Sequence, residues 1–128
     1  MSTCIFCEMP KDRMIDADEY MYVIRDGFPV TDGHTLLIPK RHAATWFDLS
    51  EYEHASANTL LYKHKQLLEK EDATITGFNI GMNCGEEAGQ TVFHCHIHLI
   101  PRRKGDVEDP RGGVRWIIPS KADYWSPR

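Results

Sequence analysis

The sequence predicts an α+β domain made of an antiparallel sheet and one long helix. Short runs of β-favouring residues lie on both sides of a single helix-length amphipathic segment. Turn residues separate the first runs closely enough for antiparallel neighbours. The chain has 128 residues, and a chain of this size buries roughly two-thirds of its unfolded surface. We therefore expect a single domain over residues 1–128.

Two strands and the helix are predicted in the first half of the chain. Residues 20–24 (YMYVI) and 34–39 (HTLLIP) are short β-rich runs that adjoin Asp-Gly turns, which predicts two neighbouring strands. Ser50 and Glu53 form a capping box, and apolar residues then recur at helical spacing. The helix should therefore begin after Ser50 and end near residues 70–72.

Strands and loops are predicted in the second half. We expect a strand at residues 74–83, a loop at 84–90 and a strand at 91–100, which is the strongest strand signal in the chain. Charged residues, glycine and proline then predict an exposed loop at 102–113, and a last short strand is expected at 114–118.

The composition excludes several classes of protein. A hydrophobic fraction of 41% and a charged fraction of 27% are typical of a globular protein, and no apolar run is long enough to span a bilayer. The formal charge of −4 argues against nucleic-acid binding through a broad basic surface. The N-terminus has no signal-peptide pattern and the four cysteines do not make a disulfide scaffold, so we expect a cytoplasmic protein that binds neither nucleic acid nor membrane.

Three of the seven histidines alternate within the predicted strand at residues 91–100. Because strand side chains alternate between faces, His94, His96 and His98 should share one face, about 7 Å from neighbour to neighbour. The opposite, helix-covered face should carry Phe93, Cys95, Ile97 and Leu99. A solvent-facing strand with chance histidines is the alternative, and three in alternation argue against it. One metal ion can bind at most two of these imidazoles, so the row favours nucleophilic or acid–base chemistry.

The segment HCHIHLI, which contains the three histidines, resembles the signature of the histidine triad (HIT) family of nucleotide hydrolases and transferases. The similarity includes GQTV at residues 89–92, Asn83 and Gly33-His34. It covers the chain from residue 4 to about 105 and leaves a C-terminal tail at 106–128. The flanking GQTV and PRRKGD segments look most similar to the diadenosine polyphosphate hydrolase branch. The resemblance implies a histidine triad fold whose sheet continues across a homodimer.

The resemblance also implies roles for individual residues. His96 corresponds to the nucleophile that attacks the α-phosphorus and carries a nucleotidyl group, and the backbone carbonyl of His94 orients it. His98 corresponds to the histidine that stabilises charge at the phosphates. The remaining catalytic positions fall on His34, Gln90 and Thr91. The nucleotide-binding positions fall on Ile5, Phe6 and Ile24 around the base, Asp26 at the ribose, and Asn83, Gly89, Gln90, Thr91 and His98. This chemistry requires no metal ion.

Cys4 and Cys7 have the spacing of half a zinc site. From the residues alone a redox pair or two chance thiols remain open, although a redox pair belongs between a strand and a helix. The resemblance favours a structural zinc, because related bacterial-type proteins complete such a pair with two histidines, here His42 and His94. Four ligands of this kind leave no open position on the metal.

Four further observations concern residues outside these motifs. His64 should be a satisfied buried or interface residue, whereas His54 should be solvated. Arg102 and its two basic neighbours can add positive potential near the phosphates. Trp116, with the segment at residues 111–115, can approach the substrate or a partner subunit.

The sequence thus predicts an enzyme that hydrolyses a nucleotide at its α-phosphate, with dinucleoside polyphosphates as the favoured substrates. A nucleoside phosphoramidate hydrolase or a nucleotidyltransferase would use the same nucleophile. A nucleotide-binding regulatory protein would bind with little turnover. A zinc-binding interaction module would have no need of His96.

Overall fold

The computed structural model of the protein describes residues 3–127 and has the α+β arrangement expected from the sequence. One α-helix, α1, spans Glu51–Glu71. The strands are β1 (Met14–Ala17), β2 (Met21–Arg25), β3 (Thr35–Pro39), β4 (Ile75–Gly81) and β5 (Ile97–Arg103). They form one antiparallel sheet in the order β1-β2-β3-β5-β4, which makes β1 and β4 its edges.

The helix α1 begins where the capping box predicts. The Ser50 hydroxyl accepts the Glu53 N–H at 3.1 Å, and the Glu53 carboxylate accepts the Ser50 N–H at 2.8 Å. Arg41 pairs with the same carboxylate at 2.8 Å, so this buried charge is compensated. Ala57 and Leu60 on the buried side of α1 pack against one face of the central strands. The predicted helix is confirmed.

The central strands β2 and β3 are buried on both faces, which explains their nearly continuous apolar sequence. The core on the helix side includes Val23, Leu37 and Ile97. The core on the other side is formed by Tyr22, Ile24, Leu36, Ile38 and Phe6 of the N-terminal segment. The sheet register sets His98 beside Leu36 on β3 and beside Gly81 on β4. His98 therefore lies on the face that the helix leaves uncovered.

The predicted strand at 91–100 is wrong over its first six residues, because β5 begins at Ile97. The imidazole of His94 donates to the Pro39 carbonyl at 2.7 Å. Pro39 lies just beyond Leu37, the last residue of β3 that is paired with β5. The backbone N–H of Cys95 donates to the Ala43 carbonyl instead. Phe93 is consequently half exposed rather than part of the helix-side core.

Two further element predictions are corrected, and one strand was not predicted. Strand β1 had no prediction, and Arg102 and Arg103 belong to β5 rather than to an exposed loop. The strand expected at 114–118 is a short 3-10 helix at Gly113–Ile117. Gly112 and Gly113 have positive φ angles of 93° and 47°, and this reversal turns the tail away from an extended path.

Within the described residues, no helix has both the length and the apolar character needed to cross a membrane.

Candidate active site and metal centre

His96 is held with one ring nitrogen free. Its Nδ1 lies 2.8 Å from the backbone carbonyl of His94, and a carbonyl can only accept, so Nδ1 carries the proton. In the uncharged form of this ring, the Nε2 atom therefore keeps its lone pair. The Phe6 ring packs beside this imidazole, with the centroids 4.9 Å apart. The half-buried His96 thus has the orientation that a nucleophile requires.

His34 and His98 form a hydrogen-bonded pair beside it. The Val30 N–H donates to His34 Nδ1 at 3.0 Å, which leaves the proton of the neutral ring on Nε2. That Nε2 lies 2.8 Å from His98 Nδ1 and 3.4 Å from an Asp26 carboxylate oxygen. Because His98 Nδ1 accepts this proton, the His98 ring carries its own proton on Nε2. His98 therefore offers an N–H donor, the opposite of the free lone pair on His96.

Burial keeps this pair of imidazoles uncharged at neutral pH. It lowers the pKa of His98 to about 4, helped by the nearby His96 and His34. Burial also lowers the pKa of His34, although the Asp26 carboxylate opposes this shift. The His96 and His98 rings, 5.3 Å apart between centroids, can thus lie together without like-charge repulsion.

The loop before the triad is held in place by Gln90. This residue is buried, its amide oxygen accepts the Gly85 N–H at 2.8 Å, and its amide nitrogen donates to the Ala44 and Val92 carbonyls. A contact between the Gln90 amide and a phosphate therefore requires exchange of a backbone hydrogen bond. The other site residues predicted in this region are exposed: Asn83, Gly89 and Thr91.

A cavity of about 440 Å³ adjoins His96 through Phe6, and we name it the Phe6 cavity. The three apolar residues predicted around a base, Ile5, Phe6 and Ile24, all line its wall. Asp26, the predicted ribose contact, immediately precedes the wall residue Gly27. The structure thus brings the predicted base and ribose residues to one place.

Cys4, Cys7, His42 and His94 meet in one cluster whose candidate ligand atoms all lie within 4.8 Å of one another. The sulfur–nitrogen distances are 3.4 Å for Cys4–His94, 3.5 Å for Cys7–His94 and 3.3 Å for Cys7–His42. Tetrahedral zinc with Zn–S and Zn–N bonds of about 2.3 and 2.05 Å separates such atoms by about 3.6 Å. His94 Nε2 donates to the Pro39 carbonyl, which directs its Nδ1 lone pair at the cluster. These four residues therefore fit a closed zinc site.

The sequence predicts positive potential near the phosphates from Arg102 and its two basic neighbours. The Arg102 guanidinium bonds Asp106 and Asn79, and Arg103 bonds Asp72, so their charge is already paired. Both guanidinium groups are thus held by carboxylates, which reduces the positive potential that they can add near the phosphates.

The contacts of His54 and His64 on α1 show how each side chain is placed. His54 is not simply solvated, because its ring stacks on Trp46 and its Nε2 lies 2.9 Å from the Trp46 carbonyl. His64 is buried as expected and lies 2.8 Å from the Asp16 carboxylate. Its Nδ1, however, has no hydrogen-bond partner among the described residues.

Some site residues had no prediction. The Tyr22 hydroxyl donates to the Phe6 carbonyl at 2.5 Å, and the Val30 N–H fixes the His34 tautomer. Phe28, 92% exposed, lies on the wall of the Phe6 cavity. Phe28 directly follows an Asp-Gly turn, and an aromatic residue at such a turn is a sequence signal that points to a site residue. The backbone N–H of Val30 leaves no signal in the sequence.

Comparison with known proteins gives matches over most of the chain. The HIT domain family profile matches residues 8–105. Protein hit of Bacillus subtilis is 38% identical over 135 aligned residues, covering 97% of this chain and 84% of that protein. An asymmetrical bis(5'-nucleosyl)-tetraphosphatase of Schizosaccharomyces pombe is 40% identical over 81 residues, covering 63% of this chain and 44% of that enzyme.

A solved structure has the same fold. The crystal structure of a Zn-bound histidine triad family protein from Mycobacterium smegmatis aligns with a TM-score of 0.73 at 32% identity, covering 94% of each chain. The matched region contains the strands, the helix and the three alternating histidines described above. By family profile, by fold and by relatives that include a nucleotide hydrolase, this chain belongs to the HIT domain family.

Proposed function

We propose that this protein hydrolyses nucleotides at the α-phosphate through a nucleotidyl-His96 intermediate, with dinucleoside polyphosphates as its favoured substrates. The observation that carries the proposal is the bond from His96 Nδ1 to the His94 carbonyl, which leaves Nε2 free on a ring that packs against Phe6 of the cavity wall. The tetraphosphatase relative from Schizosaccharomyces pombe supports the substrate class.

The reaction divides into two displacements at phosphorus. The Nε2 lone pair of His96 forms a bond to the α-phosphorus, and the leaving polyphosphate departs with the electron pair of the broken P–O bond. Nδ1 keeps its proton throughout, so the adduct is cationic and the His94 carbonyl stabilises it. Water then attacks the same phosphorus and loses a proton to the solvent, while the P–N bond breaks and its electron pair returns to Nε2.

The other triad residues position the phosphates. The His98 Nε2–H can donate to a phosphate oxygen in the transition state, and His34 holds the His98 tautomer through the 2.8 Å bond between them. We assign phosphate contacts to Gln90 and Thr91, as the family resemblance implies. For Gln90 this contact includes the exchange of a backbone hydrogen bond.

We assign nucleoside binding to the Phe6 cavity, with Asp26 at the ribose hydroxyls and with the predicted Asn83 and Gly89 positions beside the phosphates. The cavity volume is within the range of small-molecule sites, and apolar walls suit a planar base.

We also propose that Cys4, Cys7, His42 and His94 hold a structural zinc ion. When bound, this ion supplies no reaction step, because four protein ligands leave it no open position. It would fix the N-terminal segment that carries Phe6, as well as the chain around His94, whose carbonyl orients His96. Free thiols of this kind suit a reducing compartment, so we place the protein in the cytosol.

A homodimer completes the proposal. Strand β4 is an edge of the sheet, and its outer side can pair with the same strand of a second copy related by a two-fold axis. This pairing would continue the five-stranded sheet across the dimer.

The test compares hydrolysis of diadenosine tetraphosphate and of adenosine 5'-phosphoramidate by wild type, His96→Ala and His54→Ala. We expect wild type and His54→Ala to cleave the dinucleotide at equal rates, and His96→Ala to lose more than about a thousandfold in kcat/KM. Cleavage of the phosphoramidate in preference would assign the alternative substrate. Binding without cleavage of either compound would contradict the enzymatic proposal and favour a regulatory nucleotide-binding protein, whereas binding of neither would favour a zinc-binding interaction module.

A further inference from the structure

The C-terminal tail closes a second cavity on the sheet face that carries His98. This cavity of about 460 Å³ is bounded by Ile100 and Asn79 of the sheet, by Val30, and by Val114 and Trp116 of the tail. The family profile ends at residue 105, so the tail wall of this cavity is built from residues outside the family domain. We name it the tail cavity.

The wall of the tail cavity includes near neighbours of His98 and His34. Ile100 follows His98 by two residues on β5, so both side chains lie on one face, about 7 Å apart. Asn79 is the β4 partner of Ile100. The N–H of Val30, another wall residue, is the donor to His34 Nδ1. The tail cavity therefore lies next to the His34–His98 pair, with Val30 and Ile100 as the connecting residues.

The two cavities lie on opposite sides of His98. Ile24 of β2 and Leu36 of β3 line the Phe6 cavity, and Ile100 of β5 and Asn79 of β4 line the tail cavity. Leu36 is the β3 partner of His98, so His98 lies at the boundary between them in the sheet order β2-β3-β5-β4. A substrate with a nucleoside at each end of a polyphosphate has this arrangement, since its reacting phosphate lies between two nucleosides.

The lining favours an uncharged aromatic ligand over a free phosphate. Its arginine, Arg102, is bonded to Asp106 and Asn79, and its carboxylate, Asp109, is bonded to Arg111. An anionic group entering this cavity would meet no unpaired positive charge among these residues. The remaining wall is largely aliphatic and aromatic.

Trp116 is held in place before any ligand arrives. Its Nε1–H donates to the Arg111 carbonyl at 2.8 Å, and a Cβ at Gly112 would lie only 3.1 Å from that nitrogen. Gly112 thus lets the backbone approach the indole, while 49% of Trp116 stays exposed. An aromatic plane that is already fixed loses little conformational entropy when a base stacks on it.

We propose that the tail cavity binds the second nucleoside of a dinucleoside polyphosphate, on the leaving-group side, with Trp116 as its stacking surface. The proposal rests on the hydrolase function proposed above and makes the tail a determinant of substrate choice. Trp116 acts in binding and takes no part in the bond changes at phosphorus.

The test compares diadenosine tetraphosphate with adenosine 5'-tetraphosphate, which has the same first nucleoside and phosphate chain but lacks the second nucleoside. In wild type the second nucleoside should raise kcat/KM. Trp116→Ala should lower kcat/KM for the dinucleotide about tenfold and leave that for the mononucleotide unchanged. Trp116→Phe, which keeps an aromatic ring, should retain most of the difference.

Ile117→Ala is the matched control, because Ile117 lies in the same turn, is 81% exposed and is not part of the cavity wall. It should behave as wild type. An equal loss on both substrates in Trp116→Ala, or no loss on either, would overturn the proposal. If wild type cleaves neither compound, the hydrolase proposal fails separately. In that case, calorimetry measures the binding of the same two compounds to wild type and to Trp116→Ala. Tighter binding of the dinucleotide in wild type that is lost in Trp116→Ala would support the proposed subsite. Equal affinities for the two compounds would overturn it.

Discussion

The histidines of the site differ in which ring nitrogen carries a proton, and backbone groups decide this. The Pro39 and His94 carbonyls accept from His94 and His96, whereas the Val30 N–H is donated to His34. The family resemblance implies the His94 carbonyl as the partner of His96. The sequence does not indicate the Pro39 carbonyl or the Val30 N–H, because a backbone group leaves no side-chain signal. Which nitrogen of His96 keeps its lone pair is thus a consequence of the fold around the motif.

His98 should make the protein less stable as the pH falls below 6.5. Burial, followed by the nearby His96 and His34, lowers its pKa from 6.5 to about 4, with Asp26 in partial opposition. The unfolded chain therefore takes up a proton at His98 below pH 6.5, and the folded protein does not until the pH nears 4. The stabilisation is complete above pH 6.5 and is lost as the pH falls from 6.5 towards 4.

Urea unfolding at several pH values measures this effect in wild type and in His98→Asn, which cannot titrate. The free energy of unfolding should fall more steeply with decreasing pH in wild type than in the variant. Equal slopes for the two proteins would contradict the protonation state assigned to His98.

At the scale of elements, local signals predict the helix better than the histidine strand. The capping box of Ser50 and Glu53 places the start of α1 correctly, because its hydrogen bonds are local. The alternation of side chains in the sequence continues before Ile97, although the chain there bends and leaves the ladder. The His94 imidazole bonds to the Pro39 carbonyl and the Cys95 N–H bonds to the Ala43 carbonyl instead. Side-chain alternation alone does not indicate where ladder pairing stops.

The N-terminal segment is the element that zinc removal should affect most. We expect one zinc ion per chain in wild type and none in Cys4→Ser, together with a lower Tm in that variant, because the metal ties residues 4–7 to His42 and His94. Elemental analysis by mass spectrometry and thermal unfolding measure the two effects.

Cys84→Ser serves as the matched control, since Cys84 lies outside the cysteine–histidine cluster. It should keep both the zinc and the wild-type Tm. Wild type expressed with added zinc and purified without chelators that still holds no zinc would rule out the metal centre.

At the scale of the whole molecule, the net charge of −4 is compatible with the proposed nucleotide site, whose His34–His98 pair is uncharged at neutral pH. The α+β class could be predicted because strand and helix periodicities are sequence properties. The path of the tail could not, because it depends on the positive φ of Gly112 and on the bond from Trp116 to the Arg111 carbonyl.

The proposed dimer predicts different behaviour for the two edges of the sheet. Ile80 on β4 and Ile15 on β1 are exposed to a similar extent, 50% and 47%. Ile80→Lys should convert a dimer of twice 14.8 kDa into monomers, because like charges would meet across the two-fold axis, whereas Ile15→Lys should stay dimeric. Light scattering during size-exclusion chromatography distinguishes these outcomes, and a monomeric wild type or a dissociated Ile15→Lys would contradict pairing through β4.

The central claim is that His96 Nε2 takes the nucleotidyl group. Mixing the protein with diadenosine tetraphosphate, quenching rapidly and mapping peptides by mass spectrometry under conditions that preserve P–N bonds tests this claim most directly. We predict one adenylyl group on the peptide that contains His96 in wild type, and neither adduct nor hydrolysis in His96→Ala. Hydrolysis by His96→Ala at the wild-type rate, or an adduct on another residue, would contradict it.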